Sequence, residues 1–176
     1  MFRISRISDA ELNTQISSST QKLLIDAFED DFSEDYWNNT FGGMRFFGHL
    51  EDRLIAHGAV VSRKMHIDGK SVDVGYVEAI AVEPKHWRNG YGSLLLTEIT
   101  SFCKSEFLLS MLSTDEKYFY TKSGWRAFKG MSYVLQDGKE VRTEDEDDGL
   151  MFILGNEPGL KEPRRAVCNY RSGDAW

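Results

Sequence analysis

Val77-Glu78-Ala79-Ile80-Ala81-Val82-Glu83-Pro84-Lys85-His86-Trp87-Arg88-Asn89-Gly90-Tyr91-Gly92 is the stretch whose reading decides the fold of this chain. An apolar run suited to a strand meets a turn at Pro84, and closely spaced glycines then open a helical stretch that reaches Phe107. Glycine lets the backbone approach an anion closely, and the free N–H groups at a helix start can donate to phosphate oxygens. A Gly-x-Gly pair alone is also what a tight turn before a helix looks like; the strand, the Pro84 turn and the Arg88 charge favour phosphate. Two other phosphate motifs are excluded. The sixth-position glycine of a dinucleotide fingerprint is absent. Gly69-Lys70-Ser71 sits in a strand–strand turn with Lys64 where a P-loop needs its first glycine.

Working outward, Leu95, Ile99, Phe102 and Cys103 recur at helical spacing within 90–107, and Leu108–Leu112 is a short run suited to a buried strand. Lys117–Ser123 reads as a short helix stopped by Gly124. Upstream, Asp9–Phe28 reads as helical, and Ser33 is placed to cap a short helix through Thr40. Met44–Leu50, Arg53–Ile67 and Val72–Val82 read as three strands joined by turns at Glu51-Asp52 and Asp68-Gly69-Lys70. Downstream, short strands are expected around Arg126–Phe128, Met131–Leu135, Met151–Leu154 and Ala166–Tyr170. This order of elements indicates an α/β (α+β) domain, and residues 1–176 show no repeat, linker or internal boundary.

Composition bounds the function. A formal charge of −7 argues against nucleic acid or anionic membrane as the main partner; it suits a cationic substrate and equally suits plain solubility. The N-terminus lacks a signal-peptide core and no stretch is long enough to span a membrane, so a cytoplasmic location is expected. Cys103 and Cys168 are too few for a disulfide framework or a thiolate metal site, and Cys103 reads as a buried structural thiol. His49, His57, His66 and His86 have no metal spacing, so no metal site is assigned.

The strand–turn–glycine–helix segment resembles the GNAT superfamily of acetyl-CoA-dependent N-acetyltransferases, whose pyrophosphate motif is Arg/Gln-x-x-Gly-x-Gly/Ala. Trp87 stands at the Arg/Gln position here, with Arg88 one place later. The resemblance narrows to the aminoglycoside 2′-N-acetyltransferases through several blocks that fall in the same order. These are Phe28-Glu29-Asp30-Asp31-Phe32-Ser33, Gly42-Gly43-Met44, Gly75-Tyr76-Val77-Glu78-Ala79 and Ser123-Gly124-Trp125. Glu146-Asp147-Asp148-Gly149 and the terminal Arg171-Ser172-Gly173-Asp174-Ala175-Trp176 complete the set.

That resemblance implies the GNAT fold, with a central mixed sheet flanked by helices and splayed where acetyl-pantetheine enters between two parallel strands. Backbone groups of Ala79, Ile80, Ala81 and Val82 would hold pantetheine, and Arg88, Asn89, Gly90, Tyr91 and Gly92 the pyrophosphate of acetyl-CoA. Glu78 matches the acid that serves as general base through water, and its apolar neighbours Val77, Ala79 and Ile80 suit a carboxylate of raised pKa. Tyr120 matches the tyrosine that protonates the departing CoA thiolate, with Tyr118 as a competing candidate. Asp31, Asp35 or Tyr36, Ser113, Asp147, Asp174 and the carboxylate of Trp176 match the drug-binding set, together with Glu78. A homodimer is also implied.

Two departures bear on the acceptor. Tyr36 stands where the family has an aspartate, with Asp35 adjacent, and Asn169 stands where the tail reads Cys-Asp. Both remove negative charge, which opens kasugamycin as an acceptor beside gentamicin, tobramycin or kanamycin B. Two other functions stay open: a GNAT enzyme for another small amine, and a non-catalytic acyl-CoA-binding module.

Overall fold

The computed structural model describes residues Met1–Trp176 and divides into two compact units. The first unit comprises Met1–Val61 and Val77–Thr100, and the second Ser62–Tyr76 and Ser101–Trp176. Strands β1 (Phe2–Ser8), β2 (Gly43–Leu50), β3 (Arg53–Ile67) and β4 (Lys70–Val82) occur in the first half of the chain, with helices α1 (Thr14–Phe28) and α2 (Glu34–Asn38) between β1 and β2. Helix α3 (Tyr91–Glu106), β5 (Leu109–Ser113), α4 (Lys117–Thr121), β6 (Arg126–Ala127), β7 (Met131–Gln136), β8 (Lys139–Arg142), β9 (Leu150–Leu154) and β10 (Arg165–Asn169) follow. β3 and β4 each contribute a segment to both units.

In the first unit β1, β2 and the start of β3 are antiparallel neighbours, with Phe2 opposite Leu50 and Gly43 opposite Val61. Helix α1 starts where the Asn13 side chain accepts from the Ile16 N–H at 2.9 Å, and it buries Thr20, Leu23 and Leu24. Ser33 caps α2 as expected, its Oγ accepting from the Tyr36 N–H at 3.1 Å, and the helix is anchored by buried Trp37. Helix α3 turns Leu95, Leu96 and Ile99 inward, all fully buried. A Cβ at Gly58 would sit 2.6 Å from Ile99 Cδ1, so the bare backbone at Gly58 leaves room for the Ile99 side chain against β3.

In the second unit β10 runs parallel to β7 and antiparallel to the end of β3, while β8 closes a hairpin on β7. β4 and β5 are parallel, and their ladder consists of Gly75↔Ser110 and Tyr76↔Met111 although both strands run on past it. β9 pairs antiparallel with β5 and with β6. The core of this unit includes Tyr76, Met111, Phe128, Phe152, Cys168 and Trp176. The free thiols Cys103 and Cys168 are buried, and burial pushes Cys103 up to about 12, an inert protonated group.

The elements expected from sequence are present with ends shifted by a few residues, apart from two strands that were not anticipated. β1 lies at the N-terminus, and β8 is set off by Asp137 and Gly138, both at positive φ (51° and 75°), as a tight two-residue hairpin requires. The expected helical region 9–28 is a single 3₁₀ turn at Asp9–Glu11 followed by α1. A reciprocal side-chain cap opens that turn, where Glu11 Oε2 accepts from the N–H and the hydroxyl of Ser8, each at 2.8 Å.

Candidate active site

The first unit carries Glu78, Ala79–Val82, Arg88–Gly92, Asp31, Asp35 and Tyr36. Within β4, Ala79 adopts a φ of +50°, a left-handed conformation costing a non-glycine residue about 1–2 kcal/mol. Its carbonyl accepts from His57 Nδ1 at 2.9 Å, so the otherwise continuous strand is distorted one residue after the half-buried Glu78. Burial pushes His57 down to about 3, which keeps the imidazole neutral. Arg45, wholly buried, lies with Nη1 3.4 Å from His57 Nε2 and donates from Nε to Asp9 at 2.7 Å.

Beyond β4 the chain is tied in a compact loop. The Glu83 N–H donates to the Ile55 carbonyl at 2.8 Å, and Pro84–His86 forms one 3₁₀ turn. Trp87 donates its indole N–H to the Val82 carbonyl at 2.6 Å, while its ring stays 56% exposed. The side chain standing at the motif's Arg/Gln position therefore braces the loop. Asn89 Nδ2 donates to the carbonyls of His86 and Trp87 at 3.1 and 3.2 Å. Arg88 and Gly90 have positive φ (64° and 82°), and a Cβ at Gly90 would meet nothing within 4 Å. The space beside Gly90 is thus open, and the first N–H groups of a helix have no partner within it, a setting that fits the pyrophosphate of acetyl-CoA.

Asp31 is exposed at the end of a 3₁₀ turn spanning Glu29–Asp31. Asp35 and Tyr36 lie in α2, both half-buried. The Tyr36 ring stands 5.2 Å from Phe28 and 6.2 Å from Phe32, centroid to centroid. It packs against a cluster that also contains Trp37, Ala79 and Ala81. Tyr36, where the family has an aspartate, is thereby brought onto the same apolar patch as the distorted strand.

The second unit carries Ser113, Tyr120, Asp147, Asp174 and Trp176. Burial pushes the Tyr120 hydroxyl up to about 12, against a hydrogen bond with Thr114 that works the other way. Tyr120 packs edge-on to Phe119 and Trp125, whereas Tyr118 is 75% exposed beneath Lys122. Ser113, half-buried, ends β5 just before Thr114, whose N–H donates to the Gly149 carbonyl at 2.9 Å.

Asp147 is heavily engaged. Its Oδ1 accepts from the Ser132 N–H (2.9 Å), the Ser132 hydroxyl (2.6 Å) and Arg142 Nη1 (3.0 Å), and Oδ2 pairs with Arg142 Nη2. Burial would raise this carboxyl, but the hydrogen bonds from Arg142 and Ser132 outweigh it and hold it below the ordinary range. Ser132 Oγ also meets Thr143 Oγ1 at 2.8 Å, and Thr143 Oγ1 accepts from the indole N–H of Trp176 at 3.0 Å.

The C-terminal tail is stitched down along its length. Trp176 is 3% exposed in the core, and its N–H donates to Asp174 Oδ1 at 3.0 Å. The Ala175 carbonyl accepts from Arg63 Nη2 at 2.7 Å and from the Cys168 thiol at 3.3 Å. Arg171 donates from Nε to the Asp174 carbonyl at 2.6 Å, with Nη2 a longer 3.5 Å from a Trp176 carboxylate oxygen. Asp147, Asp174 and Trp176 are thus joined by one hydrogen-bonded chain through Ser132 and Thr143. Sequence reasoning passed over Asp9, Arg45 and His57. For Arg45 and His57 the signal was a charge and an imidazole placed inside otherwise apolar strands, whereas Asp9, in the turn after β1, carried none.

Comparison with known proteins identifies the family and the fold. The acetyltransferase (GNAT) domain family model matches residues 10–128. The chain is 31% identical over 176 residues to an aminoglycoside 2′-N-acetyltransferase from Mycolicibacterium fortuitum, covering 97% of this chain and 90% of that protein. Its fold is similar to that of a GNAT family acetyltransferase from Brucella melitensis solved in complex with acetyl-CoA (TM-score 0.64, 13% identity, 98% of this chain and 97% of that one). It also matches part of a longer GCN5-related N-acetyltransferase from Kribbella flavida (TM-score 0.58, 18% identity), with 74% of this chain spanning about a third, 34%, of that one. The chain is an acetyl-CoA-dependent N-acetyltransferase and belongs to the aminoglycoside 2′-N-acetyltransferase family of the GNAT superfamily.

Proposed function

We propose that this enzyme, as a single catalytic domain, transfers acetyl from acetyl-CoA to the 2′-amine of an aminoglycoside. The observation that carries the reading is the tail: Asp174 and Trp176 are held in place by Arg171, Thr143 and Arg63 rather than left as a loose end. Anionic groups fixed on a scaffold recognise a cation better than mobile ones, because less freedom is lost on binding.

In this reading Glu78 takes the first proton from the substrate ammonium through water, and the freed amine attacks the thioester carbonyl. The adduct collapses with cleavage of the C–S bond. The second amine proton ends on the departing sulfur. Tyr120, protonated at neutral pH like any tyrosine and held so more firmly by its burial, donates a hydrogen bond to that sulfur and hands the proton on. Ala79–Val82 and Arg88–Gly92 hold the co-substrate, and holding both reactants together supplies much of the rate. Asp31, Asp35, Tyr36, Ser113, Asp174 and the Trp176 carboxylate would bind the drug. Asp147, engaged by Arg142, would act by anchoring the tail.

The aromatic packing of Tyr36 and the presence of exposed Asn169 favour a less cationic acceptor such as kasugamycin over gentamicin, tobramycin or kanamycin B. Resistance to such a drug, a cytoplasmic location and a homodimer belong to the same reading. The test is thiol release from acetyl-CoA across aminoglycosides, polyamines and peptides, with NMR of the product to locate the acetyl group. Turnover on polyamines alone would point to another small-amine enzyme, and CoA binding without thiol release to an acyl-CoA-binding module.

A further inference from the structure

Three polar residues buried or half-buried in the first unit have no part in the chemistry above: Asp9, Arg45 and His57. Burying a guanidinium and an imidazole among apolar strands is unfavourable unless each finds partners, so their arrangement needs a reason. Arg45 donates to Asp9 Oδ1 at 2.7 Å and lies over the rings of Trp37 and Phe41 at 4.7 and 4.3 Å. The other oxygen of Asp9 accepts the N–H groups of Gly42 and Gly43 at 2.6 and 3.0 Å, which fixes the turn leading out of α2.

The remaining contact of Arg45 selects a tautomer. A guanidinium has only donors, so His57 Nε2, 3.4 Å from Arg45 Nη1, must be the acceptor. The ring proton then sits on Nδ1, which faces the Ala79 carbonyl at 2.9 Å. Burial holds the ring neutral, so the contact persists across the working pH range. A trans peptide is planar, so pinning the Ala79 C=O toward His57 turns the N–H of Ile80 the opposite way. It also fixes the backbone immediately following Glu78.

We infer that His57 is a positioning residue for acetyl transfer: Arg45, balanced by Asp9, sets its tautomer, and its Nδ1–H holds the Ala79–Ile80 peptide in the left-handed distortion that orients the backbone beside Glu78. The inference rests on Glu78 and Ala79–Val82 belonging to the reaction site.

Two arms test it, on the full-length chain. The first needs no acceptor: long-range ¹⁵N NMR of the imidazole should show protonated Nδ1 and unprotonated Nε2 from pH 5 to pH 8. An Nε2–H tautomer, or a cationic ring at pH 6, overturns the inference. The second compares His57→Asn, whose amide N–H replaces Nδ1–H, with His57→Gln, whose amide lies at the Nε2 position, and with His57→Leu. Among variants with wild-type CoA affinity and matched Tm, Asn should keep kcat within about threefold, while Gln and Leu fall at least about tenfold with little change in the acceptor's KM. Equal kcat in all three, or Asn as poor as Leu, overturns it. Kinetics use whichever amine the wild-type enzyme acetylates. If none is found among aminoglycosides, that reading of the substrate fails, and the NMR arm still tests the His57 tautomer on which the inference stands.

Discussion

The indole N–H of Trp176 donates to Thr143 Oγ1 at 3.0 Å, and the same hydroxyl meets Ser132 Oγ, which in turn donates to Asp147. The last residue of the chain is therefore a fixed point of the second unit. Its backbone is held in place both by that buried ring and by the contacts of Arg171 and Asp174.

Extending the chain by a few residues after Trp176 should impair acceptor binding while leaving the fold intact. A charge-assisted hydrogen bond is worth about 1.5–3 kcal/mol, so acceptor affinity should fall by roughly 10–100-fold with CoA affinity near normal. Calorimetry with both ligands on a variant of unchanged Tm measures this. Unaltered acceptor affinity would remove the carboxylate from the site.

Glu78→Gln should leave acetyl-CoA binding nearly unchanged and lower kcat/KM by ~10²–10⁴, the usual effect of losing a positioned base. The carboxylate is half-buried beside the left-handed Ala79, where removing charge does not disturb packing. Steady-state kinetics at pH 7 decide the point, and wild-type turnover would exclude Glu78 from the mechanism.

Gly92→Asp should weaken CoA binding by about tenfold or more, because it sets negative charge in the first turn of α3 where the pyrophosphate is expected. Acceptor affinity measured without co-substrate should be unchanged. Undiminished CoA affinity would show that the phosphates bind elsewhere.

Acid should probe Asp147. Its hydrogen bonds hold the folded carboxyl below its unfolded value of about 3.9, so the stability it contributes is present above that value and is lost as pH falls through the folded one. Asp147→Asn should therefore be less stable than wild type at pH 7, by about 1.5–3 kcal/mol for a charged hydrogen bond. The gap should narrow steadily below pH 4. Urea unfolding of both proteins from pH 7 to pH 3 checks this, and a gap independent of pH would contradict it.

Most of the architecture was legible in the linear chain because local rules wrote it. Gly90 and Gly92 around Tyr91, the Ser33 cap, Gly124 after α4 and the apolar run in β3 each act over a few residues. β1 was missed although Phe2-Arg3-Ile4-Ser5 alternates, since one short alternation is weak without its partner, and pairing with β2 is what makes it a strand. β8 is exposed and polar, and only the Asp137-Gly138 turn announced it. The candidate catalytic residues were also named from sequence, because their neighbours form recognisable blocks.

What only the three-dimensional structure decided are the particular partners of the polar and aromatic side chains, even where a partner lies within a few residues. Nothing in the order of residues says that Trp87 spends its indole on Val82, that Tyr36 sits among Phe28 and Phe32, or that Asp147 is committed to Arg142. The same holds for His57, a strand residue with no role assigned until folding places it between Arg45 and the Ala79 carbonyl. Periodicity specifies which face of an element is buried. It does not specify which group waits there, and for a buried polar side chain that partner sets its charge, its tautomer and its role.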